Sequence, residues 1–293
     1  MGNFLCRCFF ELEEVRTLGY GDAMSTYIHA IPFMFYAIVA LLIVPLFIYG
    51  VVPRIGAMKK AYERVASTDQ IFSEESRRYN LDEDGVSEEK ARIIDFLIPI
   101  GLLIIITIVA NDIFLALLAS IISCLVLYVP RKVISLRQFC DLWVKGFADM
   151  VPCLAIIVAA LMMRQASNDL RLPDYVINLV MPYVGKETFP AIVFLVVSCL
   201  AFITGSNWGI PAVCAPIIIP LGASVGANLL VVMAAIVSGG VFSSHACFYS
   251  DATVMTSTSC KIENMEHVST QMPYALIAMG ISLVMYLVCG FVF

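Results

Sequence analysis

The sequence is short of charge. Asp, Glu, Lys and Arg make up 14% of its 293 residues, against 60% hydrophobic residues. A soluble domain carries about 25% charged residues, so this chain cannot build an ordinary water-facing surface. Three histidines are too few and too scattered for a metal-ligand set. Ten cysteines are present, yet no two form a CxxC pair. Cys124, Cys153, Cys199, Cys214 and Cys289 lie inside apolar runs, where cysteine behaves as a small hydrophobe. No basic patch with interleaved aromatics points to nucleic acid, and a net charge of -5 defines no partner. Catalytic-triad spacing, a phosphate-binding loop and metal motifs are also missing, so the chain does not read as an enzyme. Met1–Phe10 does not read as a cleavable leader, because Glu11, Glu13 and Glu14 follow where an apolar stretch would continue.

What the sequence does contain is long apolar runs, several exceeding the ~18 residues that cross a bilayer core. The first runs from about Ala30 to Val52. Ile93–Ala110 and Ile113–Val129 form a helical hairpin around a polar turn at Asn111 and Asp112, and a fourth span runs from near Phe147 to Met163. Polar Asn168–Tyr175 and apolar Val176–Val184 then read as an interfacial or discontinuous helix. The expected fold is all-α: a polytopic membrane protein with about six transmembrane helices, a re-entrant hairpin and a broken helix. Residues 1–24 read as an N-terminal tail and 25–293 as the membrane domain.

Basic residues orient it. Arg54, Lys59, Lys60, Arg64, Arg77, Arg78, Lys90 and Arg92 fall in the 53–92 loop, and Arg131, Lys132, Arg137 and Lys145 in the next polar segment. The positive-inside rule places both in the cytoplasm. Residues 131–145 also carry an apolar stripe, which predicts a linker helix on the cytoplasmic interface.

Two apolar segments are interrupted. In 189–221 the interruption is Thr204-Gly205-Ser206-Asn207-Trp208-Gly209, with Pro211 behind it. Glycine and proline loosen the backbone, and the released amides and carbonyls need protein, water or ion partners at membrane depth. A re-entrant hairpin with its tip at Gly205–Gly209 fits this pattern. In 227–257 the interruption is Gly239, Gly240 and the run Ser243-Ser244-His245-Ala246-Cys247-Phe248-Tyr249-Ser250-Asp251, with Thr253 beyond, so a helix break is expected across Gly239–Asp251. An ionisable residue inside a span is a functional-site hypothesis by default. Secondary transporters build ion and solute sites from such pieces. Sodium prefers oxygen ligands, and Thr204, Ser206, Asn207, Ser250 and Asp251 supply them; Asp251, Asn207 and Ser206 are the sodium ligands of choice. Asp251 could exchange sodium for a proton, and His245 could titrate beside it or be a hydrogen-bonded structural histidine.

These same residues carry a family resemblance. Phe202-Ile203-Thr204-Gly205-Ser206-Asn207-Trp208-Gly209-Ile210 is similar to an F-x-T-G-T-S-W-G-T stretch. Ser243 to Thr253 is similar to G-D-H-C-S-P-I-S-D-T-T, and Glu266-His267-Val268-Ser269-Thr270-Gln271-Met272-Pro273-Tyr274-Ala275 to D-H-x-x-x-Q-x-P-Y-A. The chain resembles the NhaC family of sodium/proton antiporters, in the ion transporter superfamily. That resemblance implies a sodium/proton antiporter in the cell membrane, with sodium and protons as coupling ions and no other cofactor. It departs where Ser244 stands for the family's Asp, Phe248 for its Pro and Ala252 for a Thr-like position. One carboxylate fewer leaves open a sodium-coupled carrier of a small organic acid or amino acid. The family pattern is two inverted repeats, and this chain resembles the second with one preceding span. The expected partners are the lipid bilayer, sodium ions, a small organic solute, and a second copy or a missing first repeat; a truncated, non-transporting fragment is the remaining alternative.

Overall fold

The computed structural model describes residues 9–77, 93–110, 112–131, 133–172, 175, 179 and 185–293. The described residues form helices and turns and contain no strand. The chain is an all-α polytopic membrane protein. Its helices are α1 (Ala23–Ala30), α2 (Phe35–Ile48), α3 (Gly56–Thr68), α4 (Ile93–Ala110), α5 (Ile113–Tyr128), α6 (Leu136–Asp169), α7 (Phe189–Thr204), α8 (Gly209–Ser224), α9 (Leu229–Ala246), α10 (Asp251–Ser259) and α11 (Asn264–Val292). Among the described residues, Ile93–Ala110, Leu229–Ser259 and Asn264–Val292 are long and apolar enough to cross a membrane. α1 and α2 qualify together, with a 56° bend between them. Pro32 lies in the short turn of 3-10 helix that precedes this bend.

The chain divides into two compact units, Asn80–Pro152 and the remainder. The smaller unit is built on α4 and α5, an antiparallel pair. Asp112 caps α5, its carboxylate accepting from Phe114 N (2.8 Å) and Leu115 N (3.2 Å). Pro99 has no N–H to offer the Asp95 carbonyl one turn back. The Tyr128 hydroxyl, crossing from α5, supplies the missing donor at 2.9 Å. Arg131 pairs with the buried Asp95 carboxylate at the same end. Asn111 and residues 78–92 lie outside the described residues, as does most of 176–184, so the expected turn residue and interfacial helix there are not described.

Two expectations change. The 131–145 linker and the fourth span are one unbroken helix, α6, which continues past Gly146 to Asp169. A single interior glycine costs about 1 kcal/mol relative to alanine, too little to stop a helix with favourable residues on both sides. The N-terminal segment is also more than a tail. Phe9 and Val15 are each 1% exposed and belong to the hydrophobic core.

The larger unit is assembled around α9. That helix is apolar on every side, and α1, α2, α7, α8, α10 and α11 pack on it. α7 and α8 fold back on each other, since Gly222 near the end of α8 lies against the Phe189 ring at the start of α7. α2 and α11 are antiparallel as well. Phe33, just before α2, stacks edge-on with Phe293 (5.8 Å), and Phe47 near its end with Tyr274 (5.3 Å). Between them Tyr286 donates to the Ser238 hydroxyl of α9 and the Phe33 carbonyl, both at 2.8 Å. The buried hydroxyls thus lock three elements in register.

The start of α11 is clasped by the segment after α2. Glu266 accepts hydrogen bonds from Arg64 (3.1 Å), Ser73 (2.5 Å) and Ser76, and Ser76 Oγ in turn accepts from Glu263 N (2.8 Å). Three donors around one partly buried carboxylate are strong, charge-assisted bonds. We predict that Glu266→Ala lowers the unfolding free energy by about 2–3 kcal/mol. Denaturant titration of the chain in lipid nanodiscs checks this, and an unchanged midpoint would count against the clasp.

Candidate functional site

The two interrupted segments meet. α7 ends at Gly205, whose backbone is left-handed at φ +63°. A helix that stops inside a membrane leaves its last carbonyls without donors. Tyr249, from the interruption after α9, meets this need: its hydroxyl donates to the carbonyls of Phe202 (3.2 Å) and Ile203. Its ring lies so close over Gly205 that a Cβ there would come within 2.6 Å. Glycine is thus required twice at this point, for the backbone angle and for the aromatic lid.

On the other side of the tip, Ser206 Oγ accepts from Gly209 N (3.0 Å) where α8 begins. The Asn207 amide donates to Ser244 Oγ on α9 at 2.9 Å. The Ser244 carbonyl accepts from Thr253 Oγ1 (2.9 Å), which also bonds Ser250 Oγ (2.8 Å). Ser250 caps α10 by accepting from Thr253 N. One continuous hydrogen-bonded chain therefore runs Asn207, Ser244, Thr253, Ser250, joining the tip of the hairpin to the start of α10.

Asp251 is the first residue of α10, where the helix dipole favours a negative charge. One carboxylate oxygen accepts from Ala252 N at 2.8 Å. Asn264, the first residue of α11, donates to the Phe248 carbonyl (2.5 Å) and accepts from Ser257 (3.0 Å). The start of α11 thereby braces both sides of the interruption.

The structure separates the sequence-predicted residues into groups. Asn207, Ser250 and Thr253 form the chain just described, with Ser206 and Trp208 at the tip. Thr204 is buried and donates back to the Leu200 carbonyl (2.8 Å), which anchors it within its own helix. His245 points elsewhere, toward Tyr36 of α2. Gly239 and Gly240 do not break the helix, which runs unbroken through them to Ala246. They allow close approach instead. A Cβ on Gly239 would lie 2.9 Å from Val197 and 3.0 Å from Ser198 N, and one on Gly240 would lie 2.4 Å from the Asn207 carbonyl. The interruption is confined to Cys247–Ser250, which holds no glycine or proline.

Sequence reasoning missed Ser244 as a bridging residue, Tyr249 as a cap, and Tyr36 and Asn264 as supports. Ser244 had been marked only by what it replaces. Tyr249 carried a weak signal, a phenol two residues from an acid inside an apolar segment. Tyr36 and Asn264 carried none, because their partners lie far away in sequence. Among the described residues no three His, Cys, Asp or Glu side chains come together as a metal cluster. The chemistry on offer is one carboxylate with hydroxyl, amide and carbonyl oxygens, a donor set suited to a hard monovalent cation. A separate open cleft lined by Phe47, Pro53, Arg54, Tyr62 and Glu63 lies at the end of α2 and shares no residue with this arrangement.

We predict that Gly240→Ala destabilises the chain by about 1–3 kcal/mol through overpacking against the hairpin tip. Gly280→Ala, whose Cβ would meet open space, is expected to have a much smaller effect. Thermal unfolding in detergent compares the two, and equal melting temperatures would contradict the close approach.

The sequence is similar to known proteins. The sequence profile of the "Na+/H+ antiporter family" matches residues 12–291. An "Uncharacterized protein" of Haemophilus influenzae is 28% identical over 188 residues, 64% of this chain and 36% of that protein. The "Malate-2H(+)/Na(+)-lactate antiporter" of Bacillus subtilis is 28% identical over 116 residues, 38% of this chain and 25% of that protein. The matched part of the chain thus covers only about a quarter to a third of the length of these relatives. No solved structure matches the chain.

Proposed function

Since this chain belongs to the Na+/H+ antiporter family, we propose that it is a secondary transporter of the NhaC type, exchanging sodium for protons, and that it corresponds to the C-terminal portion of such a carrier. The observation that supports this most is the junction of the two interruptions. It places a lone carboxylate, an amide and several hydroxyls at the ends of helices inside a membrane protein. Half-helix ends of this kind are where secondary transporters bind their ions. A transport role also accounts for polar side chains gathered at helix ends in an otherwise apolar unit.

In this reading Asp251 is the anionic ligand of sodium, and Asn207 and Ser206 contribute side-chain oxygens. The 53–92 segment is cytoplasmic by its positive charge. α2 ends and α11 begins on that side, and the junction adjoins the start of α11 through Asn264. In this reading the sodium site is reached from the cytoplasmic side. One binding event excludes the other at Asp251: a proton neutralises the charge that sodium requires, and sodium disfavours the proton. Exchange follows from that competition, given a second conformation that opens to the opposite face.

A second reading has its own support. The Bacillus subtilis relative is named for malate and lactate, and Ser244 contributes a hydroxyl where a carboxylate would repel an organic anion. A sodium-coupled carrier of a small organic acid is the alternative, with sodium at Asp251 and the solute beside Phe248 and Tyr249.

Sodium uptake into proteoliposomes with an imposed pH gradient tests the main reading. Asp251→Asn is expected to lower exchange by about 100-fold, the loss of a charged ligand costing a few kcal/mol. Wild-type exchange in that variant would remove Asp251 from the mechanism. Uptake that requires malate or lactate rather than a pH gradient would favour the alternative.

A further inference from the structure

His245 is separate from the oxygen-rich junction, yet it directly follows Ser244, the residue that ties the hairpin tip to α9. Its ring nitrogen Nδ1 lies 3.0 Å from the Tyr36 hydroxyl of α2. Tyr36 is fully buried, and its ring is surrounded by Phe194 (6.3 Å), Phe242 (5.6 Å) and the His245 ring itself (5.7 Å). A buried phenol needs an acceptor for its proton, and Nδ1 of a neutral imidazole is one. The bond therefore selects the neutral tautomer that carries its proton on Nε2.

We propose that His245 is a second proton-binding group of this transporter, beside Asp251, and that Tyr36 is its positioning residue; this deepens the exchange reading above and rests on it. When His245 is neutral, Tyr36 O–H donates to Nδ1. A proton from water adds to Nδ1, the hydroxyl rotates, and Nδ1–H donates to the phenol oxygen. Release to water on the other side of the membrane reverses this, so one proton is bound and one released per cycle and no bond to carbon changes. The Tyr36 hydroxyl can serve either state, because a hydroxyl both donates and accepts; in the protonated state its own proton must turn to a new acceptor.

The surroundings make this charge consequential. From α11, His267 lies within electrostatic reach of His245, while Tyr286 is tied to Ser238 and Glu266 to Arg64. Asp251 comes from α10, Cys199 from α7 and Cys214 from α8. His29 of α1 bonds the Ser25 carbonyl (2.8 Å) and stacks on Tyr20 (4.2 Å). No arginine or lysine occurs on α7, α8, α9, α10 or α11, so His245 and His267 are the side chains on those helices that can become cationic. Placed one residue from the Ser244 bridge, a proton on His245 repels sodium through a medium of low dielectric. Protonation then expels sodium, and sodium entry favours the neutral ring.

Two measurements on the full chain decide this. In lipid nanodiscs, nitrogen NMR of 15N-histidine resolves three imidazoles, and His245→Gln identifies the signal of His245. At alkaline pH its Nδ1 is expected to be an unprotonated, hydrogen-bonded acceptor, and Tyr36→Phe is expected to abolish that hydrogen-bond shift. A neutral ring protonated on Nδ1, or one indifferent to Tyr36→Phe, overturns the pairing. In proteoliposomes, Tyr36→Phe is expected to displace the pH of half-maximal exchange by about half a unit or more, and His245→Gln to make the pH dependence shallower while sodium still binds. An unaltered pH profile in His245→Gln overturns the proposal. A wild-type chain with no exchange at all overturns it together with the exchange reading, and an intact NMR signature then shows that transport failed and the pair did not.

Discussion

The structure depends on how closely α9 can approach the α7–α8 hairpin. Two adjacent glycines set that distance. With Gly239 against the backbone of Ser198 and Gly240 against the Asn207 carbonyl, the helix and the hairpin tip touch main chain to main chain. Only at this separation can the Asn207 amide reach Ser244 and the Tyr249 hydroxyl reach the last carbonyls of α7. Any side chain at 239 or 240 would hold these polar groups apart. These partly buried groups would then lose their partners, at a cost of about 1–3 kcal/mol. Membrane helices generally associate through small residues for this reason. Here the same device also assembles the site.

Both ends of the larger unit are tied down and its middle is interrupted. Aromatic contacts hold α2 to α11 at one end, and Glu266 with Arg64, Ser73 and Ser76 holds the 53–77 segment to α11 at the other. The interruption at Cys247–Ser250 lies between, and Asn264 links it directly to the clasped start of α11. A movement of the 53–77 segment would thus be felt at the interruption through a short run of hydrogen bonds. The bilayer faces a different set of residues. Ile108, Val109 and Phe114 are each at least 74% exposed on α4 and α5, where lipid would cover them.

Much of this was legible in the sequence, and the failures have physical causes. The apolar runs gave α4 to the residue and the antiparallel α4–α5 pair, because length and hydropathy decide a span with little help from tertiary context. Thr204–Gly209 was legible as a hairpin tip because a left-handed glycine and a capping serine are local devices. Gly239–Gly240 was misplaced as a break because glycine serves two purposes, bending a helix and admitting a neighbour, and the sequence alone does not say which. The actual interruption carries no breaker residue. It is stabilised from outside, by Gly205 under the Tyr249 ring and by Asn264 on the Phe248 carbonyl, so local pattern located it only within the wider Gly239–Asp251 stretch. Tyr36 was invisible for the same reason: 209 positions separate it from His245.

If the two interruptions form one cation site, sodium must protect both together. Hydrogen–deuterium exchange of the chain in nanodiscs, compared in sodium chloride and choline chloride at equal ionic strength, addresses it directly. Sodium is expected to slow exchange in peptides covering both 205–209 and 247–253, at the same sodium concentration. Protection of one segment without the other, or of neither, would contradict it.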